Sequence, residues 1–365
     1  MEGINKKYNI EIEVLTPLSI GAGQEKDWVR GVDFVVDKGT LYKLNLKKMV
    51  ANGVDVDDLT SYFATKDEEG LKRKLAGKLE SVSDFTIPFP ASTDNDVKTF
   101  VKNQLTGKPI LTGSSLKGAV RSVLFDHFRE NERRPEDVFG LIRDGSDFMR
   151  FIRIGDFEFD GTELVNTKIY NLHLQDRQWD GGWKHSSSRT NHDFRPDGFN
   201  TLYECLLPQS KAQGWIMLAN MLFEQYPGHQ PYIEKKRELL SDNEHDSLEN
   251  LFYEINNHTL DYLEKEEQFF KEFDQGEYSE RILKSIDVLW RQTNACNEYC
   301  KSCVLKMSAG SGFHSITGDW QYEDYTNTGY WVGGRNDGKM KYKSRKVAIW
   351  KNRFSLLGFV KLTIV

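Results

Sequence analysis

The stretch Pro109-Ile110-Leu111-Thr112-Gly113-Ser114-Ser115-Leu116-Lys117-Gly118-Ala119-Val120-Arg121 decides the fold. Leu116, Ala119, Val120, Val123, Leu124 and Phe128 recur at i, i+3, i+4, i+7, i+8 and i+12. That period predicts an amphipathic helix with Ser114 or Ser115 as its N-cap. Glycine allows close backbone approach, and the first helical turn presents unpaired N–H groups that favour phosphate. Lys117 and Arg121, four residues apart, share one face and could neutralise such a ligand. The stretch is not a P-loop, because Gly-x4-Gly-Lys-Ser/Thr is absent from it.

Outward from this helix the pattern alternates between strand and helix. Tyr8, Ile10, Ile12 and Val14 are apolar with polar residues between them, the period of a half-buried strand. It runs through Thr16-Pro17 into a small-residue turn ending Gly21-Ala22-Gly23. Phe34–Val36 and Leu41–Tyr42 flank Asp37-Lys38-Gly39 as a hairpin. Residues 45–82 read as helices. Strands are expected at Val97–Lys102, Phe148–Ile154, Leu164–Leu174, Thr201–Leu206, Trp215–Leu218, Val304–Met307 and Phe359–Val365. The stretch Gln175–Phe199, with Arg177, Lys184, Arg189 and Arg195 among Trp179, Trp183 and Phe194, reads as a long exposed loop. Strands at both ends with helices between predict an α+β fold whose termini pair in one sheet.

Charge is segregated along the chain. The net charge is −6 over 365 residues, which excludes a surface coated in basic charge. Residues 232–287 carry 16 acidic and 7 basic side chains on a helical pattern. Residues 331–365 carry 9 basic and 1 acidic, and residues 98–135 carry 8 basic and 3 acidic. Basic glycine-containing segments therefore sit beside an acidic helical block. No apolar run approaches the ~20 residues that span a bilayer. The start of the chain is polar, and the four cysteines do not form a disulfide framework. The expectation is a cytoplasmic, reduced protein with no membrane partner.

Other candidate sites are less specific. Gly310-Ser311-Gly312, followed by Phe313 and His314, could cradle a phosphate after a strand. His314 could act as a general acid/base, although a histidine beside glycine and phenylalanine more often packs. Cys296-x3-Cys300-x2-Cys303 has the cluster spacing of radical enzymes, but Ser302 stands where those carry an aromatic residue. The three cysteines also share a helical face, so buried small residues explain them and no metal is assigned. Asp33, in Arg30-Gly31-Val32-Asp33, is a lone acid beside a turn. Glu266-Glu267 reads as a solvated helical pair without chemistry.

Leu15-Thr16-Pro17-Leu18-Ser19-Ile20-Gly21-Ala22-Gly23 and Ile110–Arg121 together resemble the RAMP superfamily of CRISPR proteins, whose second motif commonly has proline where Thr112 stands. Ala309–Thr317 is similar to the family's C-terminal glycine loop, and Leu356–Leu362 to its closing strand. Three features resemble, within the superfamily, the fifth-subunit family of type III-A Csm effector complexes. The Ser-Ser-Leu-Lys-Gly motif lies near residue 115, the acidic helices precede the glycine loop, and Phe151–Asp156 resembles a strand of that family.

The resemblance implies a ferredoxin-like (RRM-like) core with glycine-rich loops and a large helical insertion. Its parts would be a core over 1–220, with inserted helices at 45–82 and a thumb-like loop at 175–199. An acidic helical insertion would follow at 221–303, and the core would close with 304–365. It further implies a non-catalytic subunit, without cofactor, that caps the 3′ side of the CRISPR RNA. Partners would be that guide, target RNA near its 3′ end, and neighbouring effector subunits. RNA contacts would fall on Gly21, Gly23, Ser114, Ser115, Lys117, Arg121, Gly310, Gly312, His314, Arg345 and Lys346. Three alternatives stay open: a target-cleaving backbone subunit using Asp33, an RNA-processing endonuclease using His314, and an assembly adaptor docking protein through the acidic block.

Overall fold

The computed structural model describes residues 5–89, 96–175, 178–186, 190–195, 198–242, 246–273, 278–307 and 344–365. Its centre is a five-stranded antiparallel sheet in the order β14 (Ser302–Lys306), β17 (Phe359–Ile364), β1 (Lys6–Val14), β13 (Lys211–Leu218), β7 (Ile152–Ile154). The first and last strands pair, with Ile10 opposite Ile364 and Val14 opposite Val360. The alternation in β1 buries Ile10, Ile12 and Val14 on one face. That face is covered by α4 (Gly113–Phe128) and by the first half of α8 (Ser247–Phe273). Leu116, Val120, Val123, Leu124 and Phe128 meet Leu248, Leu251, Phe252 and Ile255 in this core. Short helices α5 (Pro135–Phe139), α6 (Asn220–Gln225) and α7 (Ile233–Leu240) add Val138, Phe139, Phe223, Leu239 and Leu240 to it.

A second sheet is built on the long β9 (Glu163–Gln175). On one side of it lie β15 (Ser344–Trp350) and then β16 (Arg353–Leu356). On the other side β12 (Asn200–Cys205) pairs with its first half and β10 (Gln178–Lys184) with its second half. β11 (Thr190–Asn191) extends β10, and β5 (Val97–Lys98) joins β12 in parallel. The second half of α8 and the antiparallel α9 (Ser279–Tyr299) bury Tyr262, Phe269, Phe270, Ile282, Ile286 and Leu289 against this sheet. Thus one helix, α8, serves two cores.

A smaller layer holds β2 (Phe34–Asp37), β3 (Thr40–Leu44) and β4 (Ser83–Pro88). Between β3 and β4 come α1 (Leu46–Ala51), α2 (Val56–Thr65) and α3 (Glu68–Lys74), which bury Met49, Leu59 and Leu71 under the sheet. A two-residue ladder of β6 (Ile110–Leu111) and β8 (Phe157–Glu158) leads into α4. Among the described residues, no helix is long and apolar enough to cross a membrane.

Several local expectations change. The N-cap of α4 is Thr112, whose hydroxyl accepts from the Ser115 amide at 3.3 Å. The expected strand Phe148–Ile154 opens with a 3-10 turn at Phe148–Phe151, because the Asp147 carboxylate accepts from the Met149 amide at 2.9 Å. Among the described residues of 175–199, Gln178–Lys184 and Thr190–Asn191 are strands where a loop was expected. Trp183 is 1% exposed there, edge-on to Tyr170 and to Phe194, so its ring belongs to the core and is unavailable for a nucleotide base. Cys303 lies on β14 and not on the helix of Cys296, and burial pushes its thiol pKa up. Among the described residues no group of three or more His, Cys, Asp or Glu is placed to hold a metal ion.

Glu266 is fully buried rather than solvated. Both its oxygens accept from Arg345 Nε, at 2.9 and 2.7 Å, and the guanidinium lies 3.8 Å from the Phe269 ring centre. The expected RNA contact at Arg345 is corrected by this geometry. Its charge is spent in joining β15 to α8, and its side chain is only 3% exposed.

Candidate nucleic-acid interface

The glycine-bearing segments leave one end of the central sheet. At that end β1 passes into Thr16-Pro17, and the Thr16 hydroxyl accepts from the Phe359 amide at 2.9 Å. The Gly358 amide donates to the Pro17 carbonyl at 2.9 Å, and the Met307 amide donates to the Gly358 carbonyl. The chain therefore turns toward Gly21 and ends its described run at Met307 from adjoining positions. Gly310, Gly312 and His314 themselves lie outside the described residues. From Ile20 the backbone ladder continues sideways. Val101 N donates to the Ile20 carbonyl at 2.9 Å and Ile110 N to the Val101 carbonyl at 3.0 Å, two residues before the cap of α4.

The glycine loop is exposed at Gly21 and Gly23. Gly23 has φ 109°, in the region that favours glycine. Its neighbour Ala22 is pinned by its amide to the Thr99 carbonyl at 3.1 Å.

The start of α4 is more committed than its sequence implies. Thr112 takes the Ser115 amide, and the Asp156 carboxylate accepts from the Gly113 amide at 2.7 Å. A carboxylate thus sits where the helix dipole would favour a phosphate. Ser114 stays exposed, while Ser115 is half-buried with its hydroxyl 2.9 Å from that of Thr112. A Cβ on Gly113 would collide with the Ile154 carbonyl, so this glycine serves the packing of α4 on β7. A Cβ on Gly118 would meet nothing within 4 Å, so the helix surface there is open.

One turn further on, α4 carries a cationic group. Arg121 pairs with Asp147 at 2.9 Å and lies 4.2 Å from the Phe139 ring centre. Lys117 is half-buried, and burial lowers its pKa; the nearby Arg121 and Arg153 charges add to that, and Asp147 opposes it. Arg153, exposed on β7, is a member of this group that periodicity did not reveal. Its signal was available in the strand alternation Ile152-Arg153-Ile154, which points it away from the core. Among the described residues neither Lys117 nor Arg153 is held in a salt bridge. Behind them, fully buried Lys236 donates to the Val138 carbonyl at 2.6 Å and to Gln230 Oε1 at 2.9 Å. Burial brings its pKa down to about 7. Lys117, Arg121 and Arg153 thus stand near one another, with Asp147 paired to Arg121 and Asp156 held at the helix start.

Two other expected residues lie apart from this group. Lys346 donates to the Tyr203 hydroxyl at 2.7 Å across the second sheet. Asp33 accepts from the Val29 amide at 2.9 Å and lies 3.4 Å from Lys43 Nζ, which makes it a turn-holding acid.

A family model described as the RAMP superfamily matches residues 11–292. A chain of the cryo-EM Csm–crRNA–target RNA ternary complex of a type III-A CRISPR-Cas system is similar at 16% identity. The match covers 98% of this chain and 100% of that chain, with a TM-score of 0.66. The crystal structure of Csm5 from T. onnurineus is similar at 15% identity, over 97% of this chain and 100% of that one, with a TM-score of 0.60. No curated protein matches.

Proposed function

Because this chain belongs to the RAMP superfamily, we propose that it is the subunit of a type III-A Csm effector that binds the CRISPR RNA, caps its 3′ side and contacts the neighbouring backbone subunits. The observation that carries the reading is the convergence at one sheet end. The Gly21–Gly23 loop and the exit of β14 leave from it, the backbone ladder of Ile20, Val101 and Ile110 links it to the start of α4, and Lys117, Arg121 and Arg153 follow along α4 and β7. Sequence-independent grip on single-stranded RNA needs backbone amides and cations for phosphates. The order β17-β1-β13-β7, with α4 between β1 and β7 and α8 following β13, supports a ferredoxin-like core with β14 added at its edge. On this reading α8 is a core helix, and α9 is the chief addition within 221–303. The 3′ placement follows the motif resemblance to the fifth-subunit family, and the likeness to Csm5 and to the ternary-complex chain supports the shared fold. On the same reading, target RNA near the guide's 3′ end is a further proposed partner.

The test is a titration of the protein with repeat-derived guide RNA over a range of salt. Each phosphate neutralised on a single strand contributes ~0.7 to the slope of log affinity against log salt. Lys117→Ala with Arg153→Ala should flatten that slope by about one to two units. An unchanged slope and affinity would remove these residues from the interface.

A further inference from the structure

Beside the glycine loop, the small sheet turns an aromatic ring outward. Phe85 on β4 keeps 39% of its surface exposed, while its neighbour Trp28 is 7% exposed. Their ring centres are 5.6 Å apart at 50°, so Trp28 backs Phe85 and fixes it. Lys102 Nζ lies 5.2 Å from the Trp28 ring centre and 5.5 Å from that of Phe85. Lys43, the cross-strand partner of Phe85, places its Nζ 5.7 Å from the Trp28 ring centre. Buried Glu204 holds Lys102 at 2.7 Å, and Asp33 stands 3.4 Å from Lys43. The result is a braced aromatic surface with positioned ammonium groups.

Its position joins it to the proposed interface. Lys102 follows Val101, whose amide is bonded to Ile20 immediately before Gly21. Trp28 pairs with Val97 in both directions, at 3.0 and 2.9 Å, and Thr99 Oγ1 donates to the Lys26 carbonyl at 3.1 Å. Hence Trp28 and Lys102 stand on the same ladder as the glycine loop, and Phe85 joins them through its contact with the Trp28 ring. Every base has a π-face, and a fixed aromatic ring binds one with little ordering cost.

We propose that Phe85, backed by Trp28 and Lys102, is the stacking platform for one base of the bound RNA strand. This rests on the RNA-binding reading above and goes beyond its phosphate contacts. The test places 2-aminopurine at successive positions of the guide RNA and compares the wild type with Phe85→Leu and Phe85→Trp in the assembled complex. Thermal melts confirm that the variants fold. One position should be quenched on binding by the wild type and by Phe85→Trp. Phe85→Leu should release that quenching and weaken binding at least about fivefold. Tight RNA binding by Phe85→Leu with wild-type fluorescence at every position overturns the platform and leaves the phosphate reading standing. Loss of a neighbouring subunit without any change in RNA fluorescence also overturns it, making Phe85 a protein contact. Absence of RNA binding by the wild-type complex overturns both readings.

Discussion

A Cβ added at Gly113 would strike the Ile154 carbonyl and approach the Gly155 carbonyl oxygen to 2.8 Å, whereas one at Gly118 would touch nothing within 4 Å. The two glycines of one motif therefore have different work. Gly113→Ala must push α4 off β7, and overpacking of this kind costs about 1–3 kcal/mol. Gly118→Ala relieves a helix-interior glycine and should stabilise the fold by about 0.8–1 kcal/mol. Chemical denaturation of the two variants checks both signs; equal effects would contradict the division. The sequence made both glycines look like ligand cradles, since spacing carries no information about what lies across from a Cα. The N-cap was misplaced for a related reason. Thr112, Ser114 and Ser115 are all competent caps, and the choice is made by where β6 ends and by Asp156 taking the Gly113 amide.

At the scale of elements, the tie between α8 and β15 is the least legible feature. Glu266 sits in a run of acids and reads locally as solvated, while Arg345 sits in a basic tail and reads as an RNA contact. They are 79 residues apart and meet in the interior. Breaking a buried pair by removing one partner leaves an unpaired charge and costs ~3–5 kcal/mol. Arg345→Ala should therefore lower stability by that order, while Arg345→Met with Glu266→Leu should recover much of it. Thermal melts of the three proteins decide the matter, and no loss in Arg345→Ala would refute the buried pair. By contrast, β1, the Phe34–Leu44 hairpin and α4 were readable because each has one wet and one dry face, which imprints its period on the sequence. The 175–199 stretch defeated that reading. Its glycines and polar residues suggest a loop, yet pairing with β9 and burial of Trp183 make a strand of Gln178–Lys184.

For the whole molecule, the segregation of charge takes on a spatial meaning. The acidic block forms α7, α8 and α9, whose apolar faces close two cores, and the cations Lys117, Arg121 and Arg153 lie on α4 and β7, away from the acidic helices in the chain. The pairing of the terminal strands was foreseen from their patterns. The two-sheet arrangement around α8 was not, because a helix that serves two cores shows a single continuous apolar stripe. The central claim is that this chain covers the 3′ side of the guide. Ribonuclease footprinting of the CRISPR RNA in the effector complex, assembled with and without this subunit, tests it most directly. The account predicts that omission exposes the 3′ portion of the guide and leaves the 5′ portion protected, and that Lys117→Ala with Arg153→Ala partly reproduces the effect. Full protection of the 3′ portion in complexes lacking the subunit would contradict it.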